Sequence, residues 1–248
     1  MRYLVLTDIH ANLEALDACV ADARPRVFEQ TLVLGDLVGY GGDPNAVVER
    51  VQSLEPVAIV RGNHDKVACG IEQAEGFNAV ARSAAMWTLD VLKPAHREWL
   101  AALPEGPIEV DEVVEICHGS PFDEDAYIFD ELDAVRALKV SNRPLCLFGH
   151  THYPVTFALS DDDSFDSVGS ASAPQMQVPM KPGLKYLINP GSVGQPRDGD
   201  PRAAYAIVDT SKRVVELYRT RYAIEDAQMK VVKAGLPDVL AQRLAVGR

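Results

Sequence analysis

Cysteine is scarce in the chain and never clustered. The 248 residues hold four, Cys19, Cys69, Cys117 and Cys146, and none forms a CxxC pair. That spacing excludes a cysteine-based zinc framework. Cys117 and Cys146 lie inside apolar runs, so all four are expected as reduced, mostly buried thiols. Long hydrophobic runs are also missing. No stretch reaches the roughly eighteen apolar residues that a membrane-spanning helix needs. The opening MRYLVLTDIH has too short an apolar run for a signal peptide, and no small-residue cleavage site follows, so a cytoplasmic location is expected. Positive charge is in deficit as well, with 24 Lys and Arg against 36 Asp and Glu, a net charge of −12. A surface this acidic has no long-range attraction for a nucleic-acid polymer. A small phosphate ester stays open as a partner, because bound cations can reverse the field locally. Nothing in the pattern speaks to oligomeric state.

What is present suits a globular chain: 47% hydrophobic and 24% charged residues, enough for one large α/β domain or two small ones. Short apolar runs alternate with helical stretches. RYLVLT (2–7), TLVLG (31–35), VAIV (57–60), VVEIC (113–117) and LCLF (145–148) read as buried strands. Between the first two lies an amphipathic stretch, residues 12–23, with Asn12 as its N-cap. Residues 43–54 begin with Asp43 and Pro44, a helix start. Strand, helix, strand, helix, strand implies right-handed crossovers and a largely parallel first sheet. Residues 66–108 read as mostly helical and could sit over a site as a cap, with Trp87 and Trp99 as core anchors. In the last third, residues 153–159, 185–189, 203–209 and 214–220 read as antiparallel strands, the last two flanking a hairpin turn. The polar stretch 160–175 reads as a solvated loop, and two helices close the chain. The fold expected is α/β, two packed sheets covered by helices, as one domain over 1–248.

The chemistry-bearing residues fall at strand ends. The first run leads into Asp8 and His10, the second into Asp36, the third into Asn63, His64 and Asp65, the fourth into His118, the fifth into His150 and His152. Ligands of open α/β sheets bind outside the carboxyl ends of the strands. Five of the six histidines sit there, and only His96 does not, which makes it an expected surface residue. Each signal alone has a plain explanation, because Asp and His commonly cap the turn after a strand. Together they form a set of oxygen and imidazole donors without thiolate, which suits Mn, Fe, Zn, Co or Ni. Asp8 with His10, and His150 with His152, are two apart, which in extended chain puts both side chains on one side, as two ligands of one ion require. Seven donors exceed one tetrahedral ion. Two ions about 3.5–4 Å apart, sharing a carboxylate, form a clamp for in-line displacement at phosphorus.

At these residues the sequence resembles the calcineurin-like metallophosphoesterase superfamily. The matching segments are DIH (8–10), GDLVGYG (35–41), GNHD (62–65), HGS (118–120) and GHTH (149–152), in the family's order. NPGSVGQPRDGDPRAAYAI (189–207) is similar to its small bacterial phosphodiesterase branch. The resemblance implies a two-sheet sandwich flanked by helices, four layers in the order α/β/β/α. It implies one metal on Asp8, His10 and His152, a second on Asn63, His118 and His150, and Asp36 bridging them. His64 is then left facing the substrate, as proton donor to the leaving oxygen or hydrogen-bond donor to phosphate. The chain departs from the protein phosphatase pattern GDxVDRG: Gly39 stands where a second Asp would orient the catalytic histidine, and Tyr40 where an Arg would hold phosphate. A protein phosphatase is therefore not expected, and His64 has no evident orienting partner. Arg197, Arg61 and Asn12 are further candidates for substrate contact, against surface ion pairing for the arginines and helix capping for Asn12. The function expected is metal-dependent hydrolysis of a small or nucleotide-like phosphodiester. The alternatives are a phosphomonoesterase, a dinucleoside polyphosphate hydrolase, or a scaffold that binds metal without turnover.

Overall fold

The computed structural model describes residues 1–162, 164–169 and 175–248. In chain order the strands are β1 (Arg2–Leu6), β2 (Gln30–Val33), β3 (Ala58–Ile59), β4 (Ile108–Glu109), β5 (Val114–Ile116), β6 (Leu145–Leu147), β7 (Val155–Ser160), β8 (Phe165–Gly169), β9 (Gln175–Pro179), β10 (Leu184–Asn189), β11 (Ala203–Asp209) and β12 (Val214–Thr220). The helices are α1 (Leu13–Ala23), α2 (Pro44–Gln52), α3 (Asn63–Cys69), α4 (Ala79–Val91), α5 (Pro94–Ala101), α6 (Glu131–Val140), α7 (Ile224–Lys233) and α8 (Asp238–Leu244). One six-stranded sheet runs β3-β2-β1-β11-β12-β9, the other β4-β5-β6-β10-β7-β8. β1, β2 and β3 are parallel, as are β5, β6 and β10, and the remaining pairings are antiparallel.

Successive side chains of a strand point to opposite faces, and here both faces are covered. Tyr3, Val5, Leu32, Ala206 and Val208 of the first sheet pack on Ile116, Leu145, Leu147 and Ile188 of the second. Leu4, Leu6, Val33 and Tyr205 face the other way, onto Leu16, Cys19 and Val20 of α1 and Val47, Val48 and Val51 of α2. On the far side Cys146, Leu187, Phe157 and Leu159 pack on Ala134, Ala137 and Leu138 of α6. Four layers, α/β/β/α, result. Double coverage explains why β1, β2 and β6 read as continuous apolar runs rather than alternating ones.

Local signals agree with these boundaries. Asn12 caps α1, its Oδ1 accepting from the Ala15 N–H at 3.1 Å. Pro44 opens α2 in the first helical turn. The hairpin of β11 and β12 turns at residues 210–213. The cysteines are free; Cys19, Cys117 and Cys146 are buried and Cys69 half-buried. No helix among the described residues is long and apolar enough to cross a membrane. Two expectations need correction. The polar stretch 160–175 is not simply a loop: β8 lies within it, and β9 begins at its last residue. Both are outermost strands, where one neighbour supplies the ladder and little apolar pattern is required. Residues 163 and 170–174 of that stretch lie outside the described residues. His96 is buried rather than exposed, with Nδ1 2.8 Å from Asn45 Oδ1. A partner on α2 makes a buried imidazole affordable, and sequence spacing does not reveal it.

Candidate metal centre

β1, β2 and β3 run parallel in one sheet and β5 and β6 in the other, so their carboxyl ends deliver Asp8 and His10, Asp36, Asn63, His118, and His150 and His152. The turns that follow are not extended. Asp8, His10, Asp36, His150 and His152 all have φ between 49° and 65°. Each non-glycine residue in that left-handed region costs about 1–2 kcal/mol, so neighbouring structure must hold it. Asp8 N–H donates to Gly35 O at 3.1 Å and His10 N–H to Asp36 O at 3.0 Å. Asn189 Nδ2 donates to Gly149 O at 2.7 Å, and Ser192 Oγ to Asp8 O at 2.8 Å. The extended-chain argument from two-residue spacing therefore fails. Asp8 and His10 still share a cluster, but His150 and His152 diverge into different ones.

Asp8, His10, Asp36 and His152 form one group of donor atoms, each within 4.8 Å of the others; Asp36, His118 and His150 form a second. Asp36 belongs to both. Its Oδ1 accepts the His64 N–H at 2.9 Å, and its Oδ2 stands 3.5 Å from both His10 Nε2 and His118 Nε2. His152 Nε2 is 3.0 Å from His10 Nε2 and 3.4 Å from Asp8 Oδ1. Asn63 Oδ1 reaches His118 Nε2 at 3.3 Å. Nitrogen crowded on nitrogen, with carboxylate oxygens between, is an arrangement that a cation would stabilise.

The outer ring nitrogens fix the inner ones. His10 Nδ1 lies 3.1 Å from Val38 O, His118 Nδ1 2.7 Å from Leu34 O, and His152 Nδ1 2.6 Å from Gln195 O. A carbonyl can only accept, so each Nδ1 carries a proton, and in the neutral ring each Nε2 has a lone pair facing inward. His150 is reversed: Nε2 donates to Asp125 O at 3.1 Å, leaving Nδ1 as its donor atom. Electrostatics keep three of these four rings in the neutral form. Burial pushes His10 and His152 well below the ordinary imidazole range and His150 down to about 3, so these rings stay neutral. Burial opposes charge on His118 too, but Asp36 outweighs it and raises the ring to about 10. Burial and the neighbouring Asp36 lift Asp8 to about 7. Burial would raise Asp36 as well, yet the surrounding histidines hold it well below the usual carboxylate range. A cluster of buried carboxylates and mostly neutral imidazoles is one that an added cation would stabilise.

His64 stands beside this centre and does not join either group. It is buried, and its Nδ1 has no hydrogen-bond partner. Tyr40 and Phe77 hold the ring, with centroids 4.3 and 4.6 Å away. A Cβ on Gly39 would come within 2.5 Å of that Nδ1, so no side chain could orient the ring from there. Burial lowers His64 to about 4. Arg197 lies at the rim, its Nη2 3.4 Å from Tyr40 Oη and 3.3 Å from Gln195 Oε1. Arg61 is engaged elsewhere, by both oxygens of Glu124 at 2.9 Å and by Glu105 at 3.2 Å. Asn12 uses its other end to donate to Gly194 O at 2.9 Å, so capping and loop closure occupy it.

Sequence reasoning assigned no role to several supporting residues. Asp65 accepts from Gly62 N–H at 3.0 Å and Val38 N–H at 3.1 Å, tying the GNHD turn to the GDLVG turn. Buried Lys66 holds the Asp125 carboxylate at 2.5 Å, next to the carbonyl that orients His150. Tyr127 stacks on His150 at 3.8 Å. The position of Asp65 and Lys66 within and after GNHD was a usable signal; Asp125, Tyr127 and Phe77 offered none.

The sequence signature of the calcineurin-like phosphoesterase superfamily domain matches residues 1–213. The chain is 37% identical over 250 residues to the protein MJ0912 of Methanocaldococcus jannaschii, covering 98% of this chain and 97% of that one. It is 38% identical to a metallophosphoesterase from Sphaerobacter thermophilus, whose crystal structure matches all of both chains with a TM-score of 0.87. The crystal structure of PH1004 from Pyrococcus horikoshii OT3, at 20% identity and TM-score 0.77 over all of this chain and 98% of that one, shares the fold. With the four-layer architecture and the Asp and His groups at its strand ends, the chain belongs to the calcineurin-like phosphoesterase superfamily and is a phosphoric ester hydrolase.

Proposed function

We propose that the chain is a dinuclear metal-dependent phosphodiesterase acting on a small or nucleotide-like ester, in one domain over 1–248. One observation carries this reading: a single oxygen, Asp36 Oδ2, is equidistant from His10 Nε2 and His118 Nε2 at 3.5 Å. One divalent ion would be held by Asp8, His10 and His152, the other by Asn63, His118 and His150, with Asp36 shared. Mn, Fe, Zn, Co and Ni all fit donors of this kind. Bound there, two such ions supply charge that neutralises phosphate oxygens and makes water acidic enough to attack at neutral pH. The chain's own groups do the rest. Asp8 and Asp36 supply the negative charge that retains the ions. His64, gripped between Tyr40 and Phe77, donates its N–H toward the ester oxygen that departs. Phe77 belongs to the helical stretch 66–108, which we assign as the cap that shields this proton from water. Arg197 sits where it can meet the substrate's anionic part.

Hydrolysis of bis(p-nitrophenyl) phosphate and p-nitrophenyl phosphate by protein stripped and then reloaded with each metal tests the reading. Cleavage of the diester, faster than of the monoester and only with metal, is expected. Cleavage that persists after exhaustive chelation would sink the metal assignment. A clear preference for the monoester would make the chain a phosphomonoesterase.

A further inference from the structure

In a chain carrying net charge −12, two guanidinium groups beside the candidate metal centre have no Asp or Glu partner among the described residues. Arg197, in the turn after β10, lies 5.9 Å from the Tyr40 ring centroid, and Arg243, on α8, lies 5.8 Å from it. Tyr40 in turn stands 4.7 Å from His10 and 4.3 Å from His64, ring to ring. The Arg197 backbone N–H donates to His152 O at 3.4 Å, anchoring that arginine to the donor cluster. Nearby acids are already committed: Asp198 pairs with Arg219, Asp200 with Arg202, and Glu14 and Asp43 with Lys230. Among the described residues no Asp or Glu side chain comes within ion-pairing distance of Arg197 or Arg243. Arg243 donates Nε to Arg248 O at 2.7 Å, and Arg197 Nε is buried with no partner at all. Burial and the charge of Arg197 depress the Arg243 guanidinium below its ordinary range. Two like charges near one aromatic ring with no acidic side chain between them cost stability, and guanidinium forks are what phosphate oxygens complement best.

We propose that Arg197 and Arg243, meeting at Tyr40 beside the metal centre, form a second anion subsite that holds a phosphoryl group of the substrate other than the one cleaved. The inference rests on the phosphodiesterase reading above and narrows its substrate class to esters with at least two phosphoryl groups. Tyr40 is the group common to both, since its ring contacts His10 and His64 of the centre and lies 5.9 and 5.8 Å from the two guanidinium groups.

The test uses the metal-loaded protein with bis(p-nitrophenyl) phosphate as reporter. Adenosine 5′-diphosphate and adenosine 3′,5′-bisphosphate, with their phosphoryl groups close together and further apart, compete against adenosine 5′-monophosphate as inhibitors. At least one doubly phosphorylated probe is expected to inhibit about 10-fold more tightly than the monophosphate, the scale of an added charge-assisted contact. Arg243→Gln should erase that advantage, and Arg243→Lys should keep part of it. No advantage in the unaltered protein, or one that survives Arg243→Gln, would overturn the subsite. Should Arg243→Gln fail to fold, as a thermal melt would reveal, the comparison with Arg243→Lys decides, because a lysine cannot match the guanidinium fork. If the unaltered protein cleaves no reporter with any metal, the phosphodiesterase reading fails instead. Calorimetric titration of adenosine 5′-diphosphate into the unaltered protein and the variants then still reads the subsite.

Discussion

Asp36 spends one carboxylate oxygen on the His64 backbone and leaves the other between two imidazoles. Its charge therefore acts on both halves of the centre, and Asp36→Asn should weaken two ions at once. His152→Ala removes a donor from one group only and should weaken one. Metal titrations followed by calorimetry separate the two patterns, and loss confined to a single site in both variants would contradict the shared-carboxylate assignment. His64 poses a different question. Burial keeps its ring neutral, while an anionic ester beside it would favour protonation. A proton given to the leaving oxygen matters most when that oxygen leaves poorly. His64→Gln should thus slow alkyl phosphodiesters by about 10²–10⁴-fold and p-nitrophenyl esters clearly less, with metal content unchanged. Equal losses in kcat/KM for both would reduce His64 to a phosphate contact. The donor residues were legible because their side-chain types are rare, with five of six histidines in strand-end positions. The roles of Tyr40, Phe77 and Asp125 were not, because they contribute ring faces or a backbone carbonyl, for which many residue types would serve.

Two glycines in the turns after β2 and β3 decide where those side chains can stand. Gly39 has φ of +86°, and a Cβ there would lie 2.5 Å from His64 Nδ1. At Gly62 a Cβ would lie 2.1 Å from Asp36 Oδ1. Substitution by alanine at these two places should have separable effects. Gly62→Ala displaces Asp36 and should cost metal binding first. Gly39→Ala displaces His64 and adds about 1–2 kcal/mol of left-handed strain, so it should lower kcat while metal content holds. Metal content and kcat measured for both variants check this, and metal loss in Gly39→Ala would mean that the turns move as one body. The elements themselves were legible where burial on both faces demanded unbroken apolar runs, as in β1, β2, β5 and β6. β3, only two residues long, was still legible because it sits inside the apolar run 57–60; β4, equally short, fell below any periodic signal, and β8 hid in a polar stretch because a strand at a sheet's margin needs only one covered face.

At the scale of the molecule, the two sheets meet at the centre. Asp8, His10, Asp36 and Asn63 follow strands of the first sheet, and His118, His150 and His152 follow strands of the second. The Asp8 carboxylate already crosses between them, accepting the His150 N–H at 3.1 Å. Cations bound to donors from both sheets would tie the layers together in the folded state alone, since the unfolded chain scatters those donors over residues 8–152. A ligand that binds only the folded state at 100 times its Kd adds about 2.7 kcal/mol. For a chain of this size each kcal/mol moves the midpoint by about 2–4 °C, so each filled site should raise Tm by roughly 5–10 °C. Thermal melts in excess Mn and in excess chelator measure the shift directly. His152→Ala, with one group damaged, should retain only part of it, and Asp36→Asn should retain less. A Tm that stays the same with and without metal would mean that the donors bind no ion tightly, and the centre would lose its role in both chemistry and stability.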